Sequence, residues 1–500
     1  MGRKCLKMKR TEAKKSLEIN AVLNVIKQCC AIIFPLITFP YISRKLGSEG
    51  YGEYSFSWSF VSYFVMMAAL GIQTYSVREG ARIRDNKEEI NNFASEVFTI
   101  NTISAAISLL LLYSIALINP TIHKYIFFVS IESIAIVLSL FGRDWLNSVH
   151  EDYLYITIRY IVVQIIALLA MFLFVKSSKD VWIYCVLAVL ASFGGSIPNI
   201  FYTRRYAKIR LTRNMHFKRH IVPLLTLFAN TIAMMVFVNS DIIMLGFYYN
   251  DEIVGVYSLS SKVYSMIKQM LNAIVIVALP RVTSVIEKDD KEYHILLNKI
   301  FNYLTIILIP VSVGLFMMSD SVIMLAGGRE YIGGNPAMKV LSISIVFAMV
   351  GSFMMNCVLI ANRKDRKCFT STLIAAISNI ILNLILLKRI GIIGAAITTL
   401  IAELINASIM TYYSKQLVKD RIIDIRNLVE CISGSIGIVV VCYFANLLIS
   451  NTIIRTVIAI CGSVIVYASF MAIVKNVYFK EFLQPLLNKI RTITGRKTRA

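Results

Sequence analysis

The sequence combines a large positive charge with an apolar composition. Its 500 residues include 52 Lys and Arg against 29 Asp and Glu, a formal net charge of +23, yet 57% are hydrophobic and only 16% are charged. A soluble nucleic-acid binder of this charge would be polar overall, so the composition excludes that class, as well as soluble enzymes, secreted modules and disordered basic tails. We therefore expect a membrane-embedded chain whose charges mark its topology, with membrane lipids rather than nucleic acid around it.

Apolar segments of about 20 residues, the length that crosses a bilayer core as a helix, recur along the whole chain. They predict an all-α polytopic membrane protein with about 14 transmembrane helices. The segments cover residues 19–42, 54–77, 97–118, 125–141, 156–175, 181–203, 221–247, 254–280, 300–319, 336–361, 369–387, 392–414, 428–450 and 453–474. The fourth is interrupted by Glu132.

The positive charges indicate how these segments are organised. Both termini are predicted to be cytoplasmic, because this orientation places 38 Lys and Arg on the inner side and 9 on the outer side, with the rest inside the spans. The predicted parts are a basic tail, an N-lobe of six helices, a basic linker, a C-lobe of six helices, a cytoplasmic loop, two final helices and a basic tail, at residues 1–18, 19–203, 204–220, 221–414, 415–427, 428–474 and 475–500.

A short pattern recurs at a constant offset of 203 residues. The matching residues are Gly52 with Gly255, Tyr54 with Tyr257, Ser55 with Ser258 and Arg78 with Arg281. Four matches could arise by chance, but they favour a duplication. Six helices in each copy would give both lobes the same orientation, related by an axis along the membrane normal, as in alternating-access carriers.

The eighth predicted span carries a polar stripe on one helical face. The stripe consists of Ser258, Ser261, Lys262, Ser265, Lys268, Gln269 and Asn272. Lys268 lies near the middle of the span, where a lysine costs about 2.5–3.5 kcal/mol, so we expect it to face water or an anion. The alternatives are an ion pair with a carboxylate such as Asp241, or snorkelling in the case of Lys262.

The first span has a similar polar face that includes Asn24, Lys27 and Gln28. Pro35 and Pro40 are expected to break or bend the helix beyond it. Together with Lys262, Lys268 and Gln269 of the eighth span, this face is predicted to bind an anionic substrate such as a phosphate or pyrophosphate. Arg159 is a further substrate-binding candidate. The alternative roles are snorkelling for Lys27 and anchoring for Arg159.

Three acidic residues, Glu132, Glu403 and Asp241, fall within predicted spans and are candidates for coupling transport to protons or cations. A structural ion pair or hydrogen-bond network is the alternative for each. No catalytic motif, phosphate-binding loop or metal-ligand spacing occurs, so we expect neither a cofactor nor an enzymatic activity. The glycine-rich residues 327–334 are expected to form a flexible turn.

The first span and the loop after it carry a family resemblance. The run from Pro35 to Gly47, followed by Gly50-Tyr51-Gly52-Glu53-Tyr54, Leu70-Gly71 and Arg78-Glu79, resembles the bacterial polysaccharide-biosynthesis flippases of the Wzx type, and Asn239-Ser240-Asp241, Leu245-Gly246 and Gly255-Val256-Tyr257 resemble the second half of that family. The resemblance implies two six-helix lobes around a central cavity, as in MATE-type exporters and the lipid II flippase.

The implied substrate is an oligosaccharide repeat unit linked through pyrophosphate to undecaprenol, moved across the bacterial cytoplasmic membrane for O-antigen, capsule or exopolysaccharide synthesis. A polysaccharide polymerase and chain-length machinery are the implied partners. Two other functions remain open. A cation-coupled multidrug exporter on this fold would need an acidic cavity, whereas this interior offers lysines. A membrane polymerase would usually carry a large extramembrane loop, and every connection here is short.

Overall fold

The computed structural model describes residues 2–213, 216–286, 290–418 and 422–484, and this part of the chain is helical and contains no strand. The α-helices, in chain order, are α1 (Gly2–Ala69), α2 (Ile72–Ile83), α3 (Lys87–Ile118), α4 (Pro120–His123), α5 (Ile126–Glu132), α6 (Ile134–Leu140), α7 (Asp144–Val149), α8 (Tyr153–Phe174), α9 (Val181–Phe193), α10 (Ser196–Tyr202), α11 (Phe217–Tyr248), α12 (Asp251–Ile286), α13 (Asp290–Met317), α14 (Ser319–Ala326), α15 (Asn335–Phe353), α16 (Asp365–Ser414), α17 (Ile425–Leu448) and α18 (Thr452–Ile473). The prediction of an all-α fold is confirmed.

Within the described residues, twelve helical ranges are long and apolar enough to cross a membrane. Two of them, Val22–Ile83 with 62 residues and Asp365–Ser414 with 50, are long enough for two crossings each. Both leave the helical conformation at a glycine with positive φ, which is 71° at Gly47 and 56° at Gly391. A glycine adopts such a φ without the clash that a Cβ would cause. Dividing the two ranges there gives fourteen crossings, the predicted number.

The first helix does not end at its prolines. Pro35 and Pro40 both lie inside α1, and the backbone first leaves the helical conformation at Gly47. The helix is therefore not broken at the prolines, and its break lies between the first and second predicted spans. A proline removes one hydrogen bond from a helix without reversing the sign of φ. Gly47 has a left-handed φ, which changes the direction of the chain, and neither proline does.

Side chains of Asn and Asp begin several of the helices. The Asn86 side chain accepts hydrogen bonds from the backbone N–H groups of Glu88 and Glu89 at the start of α3. Equivalent caps lie at Asn119, Asp152, Asp424 and Asn451. Each cap accepts a hydrogen bond from one or two backbone N–H groups that have no helical partner in the first turn. The caps therefore fix where these helices begin.

The chain divides into two compact units, residues 1–255 and 256–500. In the first unit, α2, α3, α7 and α11 share an apolar core that includes Ile90, Leu146 and Leu224. In the second, α13, α17 and α18 share another. The lobe, linker, loop and tail boundaries given above stay predictions. Residues 1, 214–215, 419–421 and 485–500, which fall in the predicted tails, linker and loop, lie outside the described residues.

One pair of the 203-residue repeat, Gly52 and Gly255, meets at a close helix contact within the first unit. A Cβ added to Gly52 would collide with the carbonyl oxygen of Asp251 and lie 3.0 Å from the Gly255 nitrogen. A Cβ added to Gly255 would collide with the carbonyl oxygen of Ser48 and lie 3.0 Å from the Gly52 nitrogen. The two glycines therefore allow the second segment of α1 and the start of α12 to touch through their backbones.

The glycine-rich residues 327–334 are more ordered than a flexible turn. They form a 3-10 helix over Arg329–Gly334, and the Tyr331 side chain is fully buried. A Cβ on Gly334 would lie 2.7 Å from the Ser260 hydroxyl oxygen, so this glycine lets the segment pack on α12 within the second unit.

Candidate functional site

A cavity of about 500 Å³, lined by both polar and apolar side chains, lies inside the first unit. We call it the first-unit cavity. Its lining comes from α1, α3, α6 to α10 and the start of α2, and it includes the side chains of Asn24, Lys27, Asn101, Arg143, Asp144 and Trp145. A cavity of this size accommodates a small ligand or a headgroup. The predicted substrate residues Asn24 and Lys27 both line it.

Arg159 and Asp144 form an ion pair beside this cavity. The Arg159 Nη2 lies 2.5 Å from the Asp144 Oδ1, and the Arg159 side chain is only 9% exposed. Asn199 supports the pair, because its Nδ2 donates to the same Asp144 oxygen at 3.0 Å and to the Gly142 carbonyl at 2.6 Å. Holding the carboxylate in place in this way fixes the orientation of the guanidinium group.

The structure brings Lys27 and Arg159 together. Both line a smaller pocket of about 70 Å³ that shares Lys27 and Asp144 with the first-unit cavity. The Lys27 ammonium lies 5.7 Å from the centre of the Tyr160 ring, and the lysine is half-buried. Gln28, which follows Lys27, is exposed and does not line either pocket.

The second unit contains a different charged cluster, formed by Lys268, Glu403 and Tyr264. The Lys268 Nζ lies 2.5 Å from the Glu403 Oε1, and the Tyr264 hydroxyl donates to the same oxygen at 2.9 Å. Glu403 is 2% exposed and Lys268 is 30% exposed. Two residues predicted for separate roles, substrate binding and ion coupling, are thus direct partners. This is the carboxylate pairing considered for Lys268, with Glu403 instead of Asp241.

Other members of the polar stripe are distributed along α12. Lys262 and Gln269 are exposed. The Ser352 hydroxyl donates to the Asn272 Oδ1 at 2.5 Å and links the stripe to α15. At its C-terminal end the stripe therefore forms a hydrogen bond inside the second unit, and Lys262 is its exposed lysine.

Glu132 is the most enclosed of the predicted coupling residues. Its side chain is fully buried, the Ser57 hydroxyl donates to its Oε1 at 3.1 Å, and its Oε2 has no hydrogen-bond partner among the described residues. Asp241 is also buried, at 4% exposure. A fully buried carboxyl group beside a hydroxyl is a favourable place to hold a proton. Within the described part of the chain, no group of His, Cys, Asp and Glu could hold a metal ion.

Sequence reasoning overlooked Arg143, Asp144 and Tyr264. Arg143 lines the first-unit cavity together with Asp144. Asp144 and Arg159 carried no signal as a pair, because they are 15 residues apart and lie in separate helices. Tyr264 carried no signal, because a tyrosine in an apolar span is ordinary.

The fold and the sequence are similar to those of known proteins. The lipid II flippase MurJ, solved in an inward closed conformation, superposes with a TM-score of 0.70 at 16% identity, covering 94% of this chain and 99% of that one. This likeness shows a shared fold, as expected from the resemblance. A multidrug resistance MATE family transporter in an outward-facing conformation gives a TM-score of 0.51 at 16% identity, covering 81% and 95%.

Sequence similarity points in the same direction. A putative O-antigen transporter of Escherichia coli (strain K12) is 24% identical over 404 residues, which cover 80% of this chain and 97% of that protein. The family described as polysaccharide biosynthesis protein matches residues 19–286, more than half of the chain. These residues include the first-span motif and all of α12. The chain therefore belongs to the polysaccharide biosynthesis protein family.

Proposed function

We propose that this protein is a flippase that moves undecaprenyl-pyrophosphate-linked oligosaccharide repeat units across the bacterial cytoplasmic membrane by alternating access, for the synthesis of a surface polysaccharide. Family membership and the similarity to a putative O-antigen transporter support this function. A probable low-salt glycan biosynthesis flippase of Haloferax volcanii, 21% identical over 255 residues, covers 49% of this chain and 52% of that protein and supports it further. A polysaccharide polymerase and chain-length machinery are the proposed partners, and both termini are proposed to be cytoplasmic.

The observation that carries the proposal is the presence of basic side chains inside membrane spans of both units. Lys27 and Arg159 lie at cavities of the first unit, and Lys268 lies in the interior cluster of the second. Charges at membrane depth are costly and persist where they serve a polar ligand or partner. Arginine and lysine are the side chains suited to phosphate, so they fit a pyrophosphate-linked lipid better than a cationic drug.

The binding residues are assigned by unit. We propose Asn24, Lys27, Gln28 and Arg159 for the first unit, and Lys262, Lys268 and Gln269 for the second. Glu132 is the preferred coupling residue, because no basic side chain pairs with its buried carboxyl group in the hydrogen bonds of the described residues. Glu403 and Asp241 are the further coupling candidates. Glu403 would act together with Lys268.

The proposal is tested by following the leaflet location of a lipid-linked oligosaccharide in vesicles that contain the purified protein. A glycan-modifying enzyme that cannot cross the bilayer reports how much glycan faces outward. Wild-type protein should make inward-facing glycan accessible, and Lys27→Gln should slow this, whereas Lys176→Gln, in an exposed loop, should not.

Unchanged glycan accessibility with folded wild-type protein, under every imposed ion gradient, would contradict the flippase function. The same vesicles then distinguish the rival functions. Efflux of a cationic dye along an imposed gradient would favour a drug exporter, and lengthening of the glycan would favour a polymerase.

A further inference from the structure

We propose that Asn272 and Asn356, oriented by Ser352, form a neutral subsite in the second unit that binds hydroxyl groups of the sugar carried by the lipid substrate. The inference rests on the proposed flippase function and deepens it, because it assigns side chains that recognise the glycan rather than the pyrophosphate. None of these three residues is among the binding residues proposed above.

A chain of hydrogen bonds joins the three side chains. The Asn356 Nδ2 donates to the Ser352 hydroxyl oxygen at 3.2 Å, and this hydroxyl donates to the Asn272 Oδ1 at 2.5 Å. A serine hydroxyl has a single proton to donate, so its bond to Asn272 fixes the direction of the chain. Asn272 therefore accepts at its oxygen, and Asn356 donates from its nitrogen.

This direction leaves one donor and one acceptor for a ligand. The Asn272 Nδ2 and the Asn356 Oδ1 take part in no hydrogen bond among the described residues. Both side chains are partly exposed. A sugar hydroxyl both donates and accepts hydrogen bonds, so it matches this pair, whereas an ionised phosphate offers acceptors alone.

The backbone around Asn356 departs from the α-helix. Residues Met354–Ile360, directly after α15, form a π-helix, and the Asn356 Nδ2 also donates to the Ser352 carbonyl oxygen at 2.9 Å. π-helical segments are rare and frequently lie at functional sites. The wider winding sets the position of the Asn356 amide, which is one half of the donor and acceptor pair.

The order of groups along α12 matches the order of groups in a glycan lipid. Asn272 lies four residues beyond Lys268 on the same polar stripe, which is about 6 Å along the helix. Polar side chains in a membrane span face the protein interior or water, because lipid offers them no partner. The sugar directly follows the pyrophosphate in such a lipid, so a pyrophosphate at Lys268 would bring the sugar towards Asn272.

Binding of two lipids to the purified full-length protein in detergent tests the subsite. The probes are undecaprenyl pyrophosphate and the same lipid carrying one N-acetylglucosamine, and the sugar preference is the ratio of their dissociation constants. Wild-type protein should bind the sugar-bearing lipid more tightly. Asn272→Ala and Asn356→Ala should each lower this preference about three- to tenfold, the effect of one lost hydrogen bond. Asn446→Ala, at an exposed position of α17, is the matched control and should keep the preference.

Ser352 is a positioning residue, because it orients both amides without contacting the sugar. Ser352→Ala should lower the sugar preference, and Ser352→Thr, which keeps a hydroxyl group, should restore it. Asn and Ser side chains also join membrane helices as purely structural contacts. That role predicts lower unfolding midpoints in the alanine variants with an unchanged sugar preference, and this result would overturn the proposal. If Asn272→Ala fails to fold, Asn356→Ala carries the test.

The outcomes for the subsite and for the flippase function are separable. Equal affinity of the wild type for the two lipids would overturn the subsite, but transport can depend on the pyrophosphate alone, so the vesicle assay would still decide the flippase function. A sugar preference that Asn356→Ala removes would support the subsite. If the same protein moved no glycan in vesicles, the flippase proposal would fall and a glycan-lipid binding site would stand.

Discussion

Removing Lys268 should destabilise the second unit by leaving a buried carboxylate without its cation. Glu403 is 2% exposed, and among the described residues it would keep the hydrogen bond from Tyr264. Breaking a fully buried ion pair by removing one partner costs about 3–5 kcal/mol. Lys268 is 30% exposed, so solvent already screens part of the interaction, and we expect Lys268→Gln to cost about 2–3 kcal/mol.

A double-mutant cycle measures this coupling. The variants are Lys268→Gln, Glu403→Gln and the pair together, compared by reversible unfolding of the purified protein in mixed micelles. The double variant should be more stable than Lys268→Gln alone, because two amides can hydrogen-bond without a buried charge. The reasoning would be refuted if the losses in unfolding free energy of the two single variants added up in the double variant, or if Lys268→Gln caused no loss. Either result would mean that Lys268 and Glu403 are not coupled in the membrane domain. The exposed Lys176→Gln is the control for losing a lysine.

Three further outcomes are expected. Gly52→Ala should lower the thermal unfolding midpoint because its Cβ meets the Asp251 carbonyl oxygen, whereas Gly314→Ala, which has open space, should raise stability by up to about 1 kcal/mol. Glu132→Gln should fold normally, since an amide oxygen still accepts from Ser57, but transport in vesicles should no longer respond to a proton gradient. Burial raises the pKa of Asp152, but hydrogen bonds from tyrosine hydroxyls and the Arg205 charge outweigh it and hold this pKa below its usual range. Its contribution to stability is therefore complete above about pH 4 and lost as pH falls further, and unfolding midpoints measured from pH 6 to 3 should lose this decline in Asp152→Asn.

The spans were predictable because the bilayer imposes one simple requirement. A run of about 20 apolar residues must be helical, since no other local structure satisfies its backbone in lipid. Composition therefore sufficed for the fourteen crossings, even at Glu132, where the fourth span is divided into α5 and α6. The spans predicted at residues 19–42 and 54–77 place the break of α1 between them, where Gly47 has a left-handed backbone, and the two prolines before it lie inside the helix.

The charged residues were predictable as unusual, but their partners were not. Lys268 and Glu403 are 135 residues apart, and only the packing of α12 against α16 brings them together. Asp144 and Arg159 are 15 residues apart, yet a pairing across a helix break gives no helical spacing to recognise. A sequence shows that a charged residue lies inside an apolar span, where burial is costly. The residue that pairs with this charge is determined by tertiary structure.

The contact between Gly52 and Gly255 is reciprocal, and it adds to the argument for a duplication that rests on four matching residue pairs. Adding 203 to Ser48 gives Asp251, and adding 203 to Gly52 gives Gly255. Each glycine lies against the carbonyl oxygen of the residue that corresponds to its own neighbour four positions earlier. A symmetric crossing of two copies of one helical segment would produce this reciprocity. The crossing then constrains both copies alike, because a side chain at either position would force the two backbones apart.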